Sequence, residues 1–315
     1  MDGWEKKYAE ELKELENCNM CPRECGVNRL KGAGGYCRTG SGFYISSIII
    51  HKGEEPVISG KDGICNVFFS HCNLQCTYCQ NYQISGNRNV RAGRNMTLNE
   101  VIRSITSILD SGIENVGFVS PSHMVPQMKI IIKALNEEGY YPVIVYNTNG
   151  YDRAETIRSL EKLVDVYLPD LKYNDPGLAG GWSDAADYPA VAQLAVKEMY
   201  RQKGNVLHLN EKGKLTRGMI VRHLVLPGSV KNSIEILKFL ADEISNRIAI
   251  SLMSQYNPIA NVKDTIPLNR KILESEYAMV VEHFNKLGFT KGWIQELQSA
   301  ECYNPDFNSA SPFDK

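Results

Sequence analysis

The chain has 315 residues, with 35 Lys and Arg against 36 Asp and Glu, and 43% hydrophobic against 23% charged residues. A formal net charge of -1 gives no field for steering onto a nucleic-acid backbone or an anionic membrane, which argues against general polyanion binding. With 25 Gly and 13 Pro in an otherwise ordinary globular composition, disorder as the main state is excluded.

Trp4, Tyr8, Leu12 and Leu15 recur at helical spacing and predict an amphipathic lead-in helix. Acidic residues run through this stretch and no apolar core precedes a small-residue cleavage site, so it does not read as a secretory signal. No apolar run approaches the ~20 residues of a membrane-spanning helix; Ile45 to Ile50 is strand-sized. Of nine cysteines, eight lie between Cys18 and Cys79. Without an export signal, such clustering points to metal or redox chemistry in a reducing, cytoplasmic compartment.

Farther along, strand-sized apolar runs alternate with amphipathic helical stretches. Strands are expected at Gly63–Ser70, Asn115–Ser120, Pro142–Asn147, Val164–Pro169, Met219–Leu226 and Ile248–Leu252. Helices are expected at Thr97–Ser111, Val125–Glu138, Asp152–Leu163, Tyr188–Gln202, Ser233–Asn246 and Glu274–Leu287. These six β/α units predict an α/β fold with a mainly parallel sheet, either a doubly wound open sheet or a curved partial barrel. Residues 1–60 form a cysteine-rich extension, 61–300 the β/α unit and 301–315 a tail without periodicity. The Gly- and Asp-rich stretch 171–187 reads as a mobile loop and a candidate gate. His51-Lys52-Gly53-Glu54-Glu55-Pro56 reads as a solvated charged turn.

In either architecture ligands sit at the carboxyl ends of the strands. Polar residues bunch there: Ser120-Pro121-Ser122-His123, Asn147-Thr148-Asn149-Gly150, Asp170-Leu171-Lys172 and Ser254-Gln255-Tyr256. Ordinary turn and cap chemistry explains part of this pattern. Directly after the first expected strand comes Cys72-x3-Cys76-x2-Cys79. Three closely spaced thiols can wrap one face of an iron–sulfur cube and leave one iron open for a reactant. The competing reading is a structural zinc loop completed by His71 or Cys65.

Here the sequence resembles the radical S-adenosylmethionine (SAM) superfamily, over about residues 17–292, and within it the pyruvate formate-lyase (glycyl radical enzyme) activating enzymes. The resemblance implies a partial (β/α)6 barrel with the cysteine-rich extension ahead of it. It implies a [4Fe-4S] cluster on Cys72, Cys76 and Cys79 as the catalytic centre. SAM chelates the open iron and, on one-electron reduction, yields a 5′-deoxyadenosyl radical that abstracts hydrogen from a substrate. An electron donor such as flavodoxin or ferredoxin is implied, with a glycyl radical enzyme as one candidate partner and no nucleic-acid or membrane partner. Tyr78 sits at the family's aromatic position beside the adenine. Asn147-Thr148-Asn149-Gly150 matches an acidic-Thr-Asn-Gly motif with Asn in place of the acid. Asp170 and Lys172 match an Asp-x-Lys motif whose Lys pairs with the SAM carboxylate, Arg222 occupies the matching Arg position, and Tyr256 falls near a His that relatives place against the adenosine. Ser120 and Ser122 stand where the family carries Gly-Gly-Glu.

Upstream, Cys18-x2-Cys21-x3-Cys25-x11-Cys37 gathers four thiols within 20 residues among Gly26, Gly32, Gly34 and Gly35. They are expected to hold zinc or a second [4Fe-4S] cluster, structural or relaying electrons, with disulfides as the alternative. Cys65 and Cys302 read as plain thiols. Three functions compete: a radical enzyme acting on a protein glycine, one acting on a small molecule, peptide or side chain, and a metal module without SAM turnover.

Overall fold

The computed structural model describes residues 3–32, 34–87, 94–297, 305–309 and 312–313. Its core is a sheet of ten strands: β1 (Phe43–His51), β2 (Ile64–Phe69), β3 (Arg94–Met96), β4 (Asn115–Val119), β5 (Val143–Thr148), β6 (Val166–Pro169), β7 (His208–Leu209), β8 (Leu215–Leu224), β9 (Ala249–Met253) and β10 (Gly292–Ile294). The spatial order is β10-β9-β8-β6-β5-β4-β2-β1-β3, with β7 paired to β8 off this path. From β2 to β10 every neighbouring pair is parallel. All residues of β2, β4 and β6 are buried, as both faces of a helix-covered parallel sheet require. The fold is an α/β partial barrel.

All six expected strands form. β10 adds a seventh parallel strand, too short for periodicity to reveal. β1 lies antiparallel to β2, with Ile50 opposite Cys65 and His51 opposite Ile64. Helix Leu98–Leu109 begins at a reciprocal cap: the Glu100 amide donates to Thr97 Oγ1 (3.2 Å) and the Thr97 amide to Glu100 Oε2 (2.8 Å). The helix expected at Asp152–Leu163 spans only Ala154–Ser159, because the Asp152 carboxylate is occupied by the Tyr146 and Thr148 hydroxyls. The helix expected at Ser233–Asn246 starts earlier, at Val230–Phe239, and continues as a wider π-helical turn over Leu240–Ser245.

Two expectations are corrected. The stretch 171–187 is not a mobile loop. It contains a helix, Pro176–Ser183, whose first turn is capped by Asp175 (Oδ1 accepts from the Gly177 amide at 2.7 Å), and whose end accepts backbone hydrogen bonds from Gln75 and Thr77. The 51–56 turn is solvated only in part: Lys52 and Pro56 are exposed, but Glu54 and Glu55 point into the protein, with Glu55 8% exposed. Described tail residues also pack down, Phe307 and Phe313 against Phe68 at ring separations of 5.4 and 5.6 Å. Cys302 lies outside the described residues. Among those residues no helix is long and apolar enough to cross a membrane.

Candidate functional site

β2 carries the chain to the mouth of the partial barrel, where His71 takes a left-handed backbone (φ 67°) and turns it into the cysteine loop. Each thiol there meets a donor. Cys72 Sγ accepts from the Leu74 amide (3.4 Å) and Asn149 Nδ2 (3.3 Å). Cys76 Sγ accepts from Ser183 Oγ (2.9 Å), and Cys79 Sγ from Ser85 Oγ (3.2 Å). All three line one cleft of about 680 Å³. Burial pushes the Cys72 thiol up to about 12 and Cys76 to about 11, with the Lys172 ammonium pulling Cys76 back down. Free thiolates are therefore disfavoured here, and a bound cation would reverse that. Sulfurs surrounded by N–H and O–H donors fit the soft ligand set of an iron–sulfur cube, whose reduction potential such bonds tune. No group of three His, Cys, Asp or Glu among the described residues is gathered round one ion-sized point. In a cube each iron takes its own thiolate.

Below the cysteines, strand ends far apart in sequence converge on an ionic network. Lys172 Nζ lies 2.6 Å from Asp170 Oδ2, Arg222 Nε 2.8 Å from Asp170 Oδ1, and Arg222 Nη1 3.2 Å from Glu54 Oε2. Arg222 Nη2 donates to Asn147 Oδ1 (2.5 Å), while Asn147 and Asn66 both donate to Glu54 Oε1 (3.1 and 2.9 Å). Burial alone would raise Asp170, but Arg222 and Lys172 hold it below the usual carboxylate range. Burial alone would lower Lys172, but Asp170 and Cys76 keep it above its ordinary value. Both groups are thus charged. Gly150, at φ +81°, allows the ends of β5 and β6 to close: a side chain there would collide with the Asp170 carbonyl and the Tyr188 hydroxyl.

Of the residues singled out from the sequence, Tyr78, Ser120, Asn147, Thr148, Asp170, Lys172 and Arg222 line the cleft beside the cysteines. Tyr78 is buried, accepting from the Tyr173 hydroxyl (2.7 Å). Ser122 and Tyr256 do not line it. Ser122 sits in a 3-10 turn with its hydroxyl against Thr148 Oγ1 (3.2 Å), and Tyr256 is fully buried with its hydroxyl donating to the Leu268 carbonyl (2.6 Å). Sequence reasoning missed Ser85 and Ser183, which lie 6 and 107 positions from the sulfurs they contact. It also misjudged Glu54 and Glu55, although two acids before a helix-initiating Pro at a strand end were a usable signal.

Cys18, Cys21, Cys25 and Cys37 form no disulfide and line one cavity of about 10 Å³, but they too are not gathered round one ion-sized point. Burial pushes Cys21 up to about 12, and its three companions add to the shift. Arg29, 1% exposed, bridges this segment to the barrel through the Thr39, Gly40 and His123 carbonyls (3.0, 3.0 and 2.7 Å), with Nη1 3.7 Å from Cys18 Sγ. Arg23 Nε donates to the Asn73 carbonyl (2.9 Å), directly beside Cys72.

Residues 66–180 match the profile of the Radical SAM superfamily. An uncharacterized protein of Methanocaldococcus jannaschii is 27% identical over 272 residues, 85% of this chain and 74% of its own length. Among solved structures, a domain of pyruvate-formate lyase-activating enzyme from Bacteroides vulgatus aligns at 16% identity and TM-score 0.39, covering 55% of this chain and 93% of that one. Streptococcus suis SuiB bound to its precursor peptide SuiA aligns at 15% identity and TM-score 0.46, covering 73% and 48%. The matched residues take in most of β2, the cysteine loop, and the ends of β4, β5 and β6 that line the cleft, so the similarity to the Radical SAM superfamily falls on the elements that build the site.

Proposed function

We propose that the protein is a radical SAM enzyme that cleaves SAM reductively and abstracts hydrogen from a substrate held in the cleft. The observation that carries this reading is the three-cysteine loop, each sulfur with its own donor, standing over a deep cleft lined by charged strand ends. In this reading Cys72, Cys76 and Cys79 hold a [4Fe-4S] cluster, and the cluster with SAM supplies a hydrogen-abstracting 5′-deoxyadenosyl radical on reduction. Lys172, held charged by Asp170, is the partner for the SAM carboxylate, and Arg222 and Asn147 position Asp170. Tyr78 packs beside the adenine, and Ser120 lines the same cleft, while the Thr148 hydroxyl is taken up by Asp152. An electron donor such as flavodoxin or ferredoxin and a cytoplasmic location complete the reading. Anaerobic reduction with SAM should yield 5′-deoxyadenosine, and Cys72→Ser, Cys76→Ser or Cys79→Ser should each abolish it and remove most of one cluster's iron, because a hydroxyl is a far poorer iron ligand than thiolate. Near-normal turnover in any of the three refutes the assignment.

For the substrate, an ordered rim favours a compact molecule or side chain over a protein loop. The helix Pro176–Ser183 is pinned to the cysteine loop, and Pro305 and Phe313 of the tail line the cleft. Activation of a glycyl radical enzyme is the other reading, checked by watching for a carbon-centred radical on candidate partners. The Cys18, Cys21, Cys25 and Cys37 set is proposed to hold a second metal. Metal analysis of a Cys72/Cys76/Cys79 triple mutant identifies it: about one zinc per chain marks a structural ion, about four irons a relay cluster.

A further inference from the structure

The foot of the cleft holds one carboxylate that the ionic network does not use. Glu55 makes no side-chain cap to the helix it precedes, is 8% exposed, and lines the cleft with its Oε2 buried and without a hydrogen-bond partner. The buried charges above it already balance: Arg222 and Lys172 pair with Glu54 and Asp170. Glu55 is a third carboxylate without a cation of its own among the described residues. Lys52, on the same turn, is exposed. His51 supplies no charge either, since burial holds its pKa below the ordinary value, and its buried Nδ1 is also unpartnered. The Ser251 hydroxyl stands beside Glu55. Phe68, Met253 and Phe313 give the adjoining wall an apolar surface.

We propose that this foot anchors the substrate through a primary ammonium group, with the Glu55 carboxylate, itself hydrogen-bonded by the Ser251 hydroxyl, as its counter-ion and His51 Nδ1 as a further acceptor. An unpaired buried carboxyl is costly, and an ammonium supplies both the missing positive charge and three N–H donors. Neither an alcohol nor a carboxylate does both. Left alone, Glu55 is pushed up by burial, against the pull of Arg222 and with the addition of Glu54, so it ionises when the cation arrives. An alkyl chain on that ammonium would lie along the Phe68 and Phe313 wall. Calling the ligand a substrate rests on the radical SAM reading of the cleft; the ammonium site itself does not.

The test is calorimetric titration of reconstituted protein under saturating SAM with n-butylammonium, n-butanol and butyrate, and with Nα-acetyl-lysine amide. The expected result is binding of the ammonium at least roughly tenfold tighter than of the alcohol, with butyrate weakest. Glu55→Gln should bring the two affinities together, and Glu55→Asp should keep the preference at lower affinity. Tighter binding of n-butylammonium marks a free amine; tighter binding of the lysine amide marks a protein side chain. No preference in the wild type, or an unchanged one in Glu55→Gln, overturns the proposal. So does a Glu55→Gln variant that loses affinity for SAM itself, which would assign Glu55 to the SAM amino group. Failure of the wild type to bind SAM refutes the radical SAM reading instead.

Discussion

Lys172 shows how one side chain acquires its chemistry from its neighbours. Burial lowers the pKa of an ammonium only 19% exposed, but Asp170 at 2.6 Å outweighs this and holds it above its ordinary value. The pair is a strand-end salt bridge and, by its place in the cleft, a ready anion receptor. Lys172→Ala should weaken SAM binding roughly ten- to hundredfold, since a charge-assisted hydrogen bond is worth about 1.5–3 kcal/mol, while the visible absorbance of the cluster stays intact. Equilibrium binding of SAM to the reconstituted variant checks this, and unchanged affinity leaves only the salt bridge. At this scale the sequence was readable where chemistry is local. The Cys72-x3-Cys76-x2-Cys79 spacing and the Asp170 and Lys172 pair were both legible. Ser183 on Cys76 was not, because nothing in a Gly-rich stretch says which hydroxyl will meet a sulfur 107 residues away.

Among elements, the helix Glu274–Lys286 shows what one acid can hold together. Glu276 accepts from the Leu273 amide (2.9 Å) at the helix start and from the Gly228 amide (2.8 Å) just beyond β8, and pairs with Arg270 at 2.8 Å. The Arg270 bonds, then the backbone amides, hold its carboxyl at about 2 against an ordinary 4.5. A depressed folded-state pKa contributes stability that is present above the unfolded value and lost as pH falls through the folded one. Glu276→Gln should therefore cost about 1–2 kcal/mol at neutral pH, discounted for the partly exposed Arg270. Denaturant midpoints of the two proteins should converge between pH 4.5 and 2. Periodicity found this helix within a residue, since its apolar face repeats. It failed for Pro176–Ser183, a helix whose GLAGG composition hides any apolar stripe and whose stability comes from its Asp175 cap and the cysteine loop.

Across the whole molecule, the cysteine-rich segment and the barrel are joined through Arg29. Its guanidinium reaches Thr39, Gly40 and His123 at once, a geometry that a planar fork satisfies and an ammonium does not. Arg29→Ala strands the buried Thr39 and His123 carbonyls and the half-buried Gly40 carbonyl and should cost on the order of 3 kcal/mol; Arg29→Lys should recover little of it. Chemical denaturation of the intact protein measures both. Loss in Arg29→Ala of the metal proposed for the Cys18–Cys37 set, with iron at the Cys72 loop retained, would separate the stability of the segment from that of the barrel.

Composition and charge by themselves excluded disorder and polyanion binding, and the cysteine spacings marked the loop at which the site is built, because those signals are written in neighbouring residues. The alternation of strands and helices determined the α/β architecture, strand-end position picked out Asn147, Asp170 and Lys172 before any contact was known, and the family resemblance added Arg222. Only the tertiary structure decided between a doubly wound sheet and a partial barrel, since both obey the same periodicity and differ in strand order, which here runs from β2 through β4, β5, β6, β8 and β9 to β10 without the reversal of a doubly wound sheet. Only the tertiary structure brought in Glu54 and Glu55. Their burial depends on β1 lying antiparallel to β2 and on which way the turn after it faces; the two acids before Pro56 marked the place but not the direction. Ser122 and Tyr256 went the other way for the same reason: a polar residue at a strand end faces the cleft or the core according to the turn that follows it.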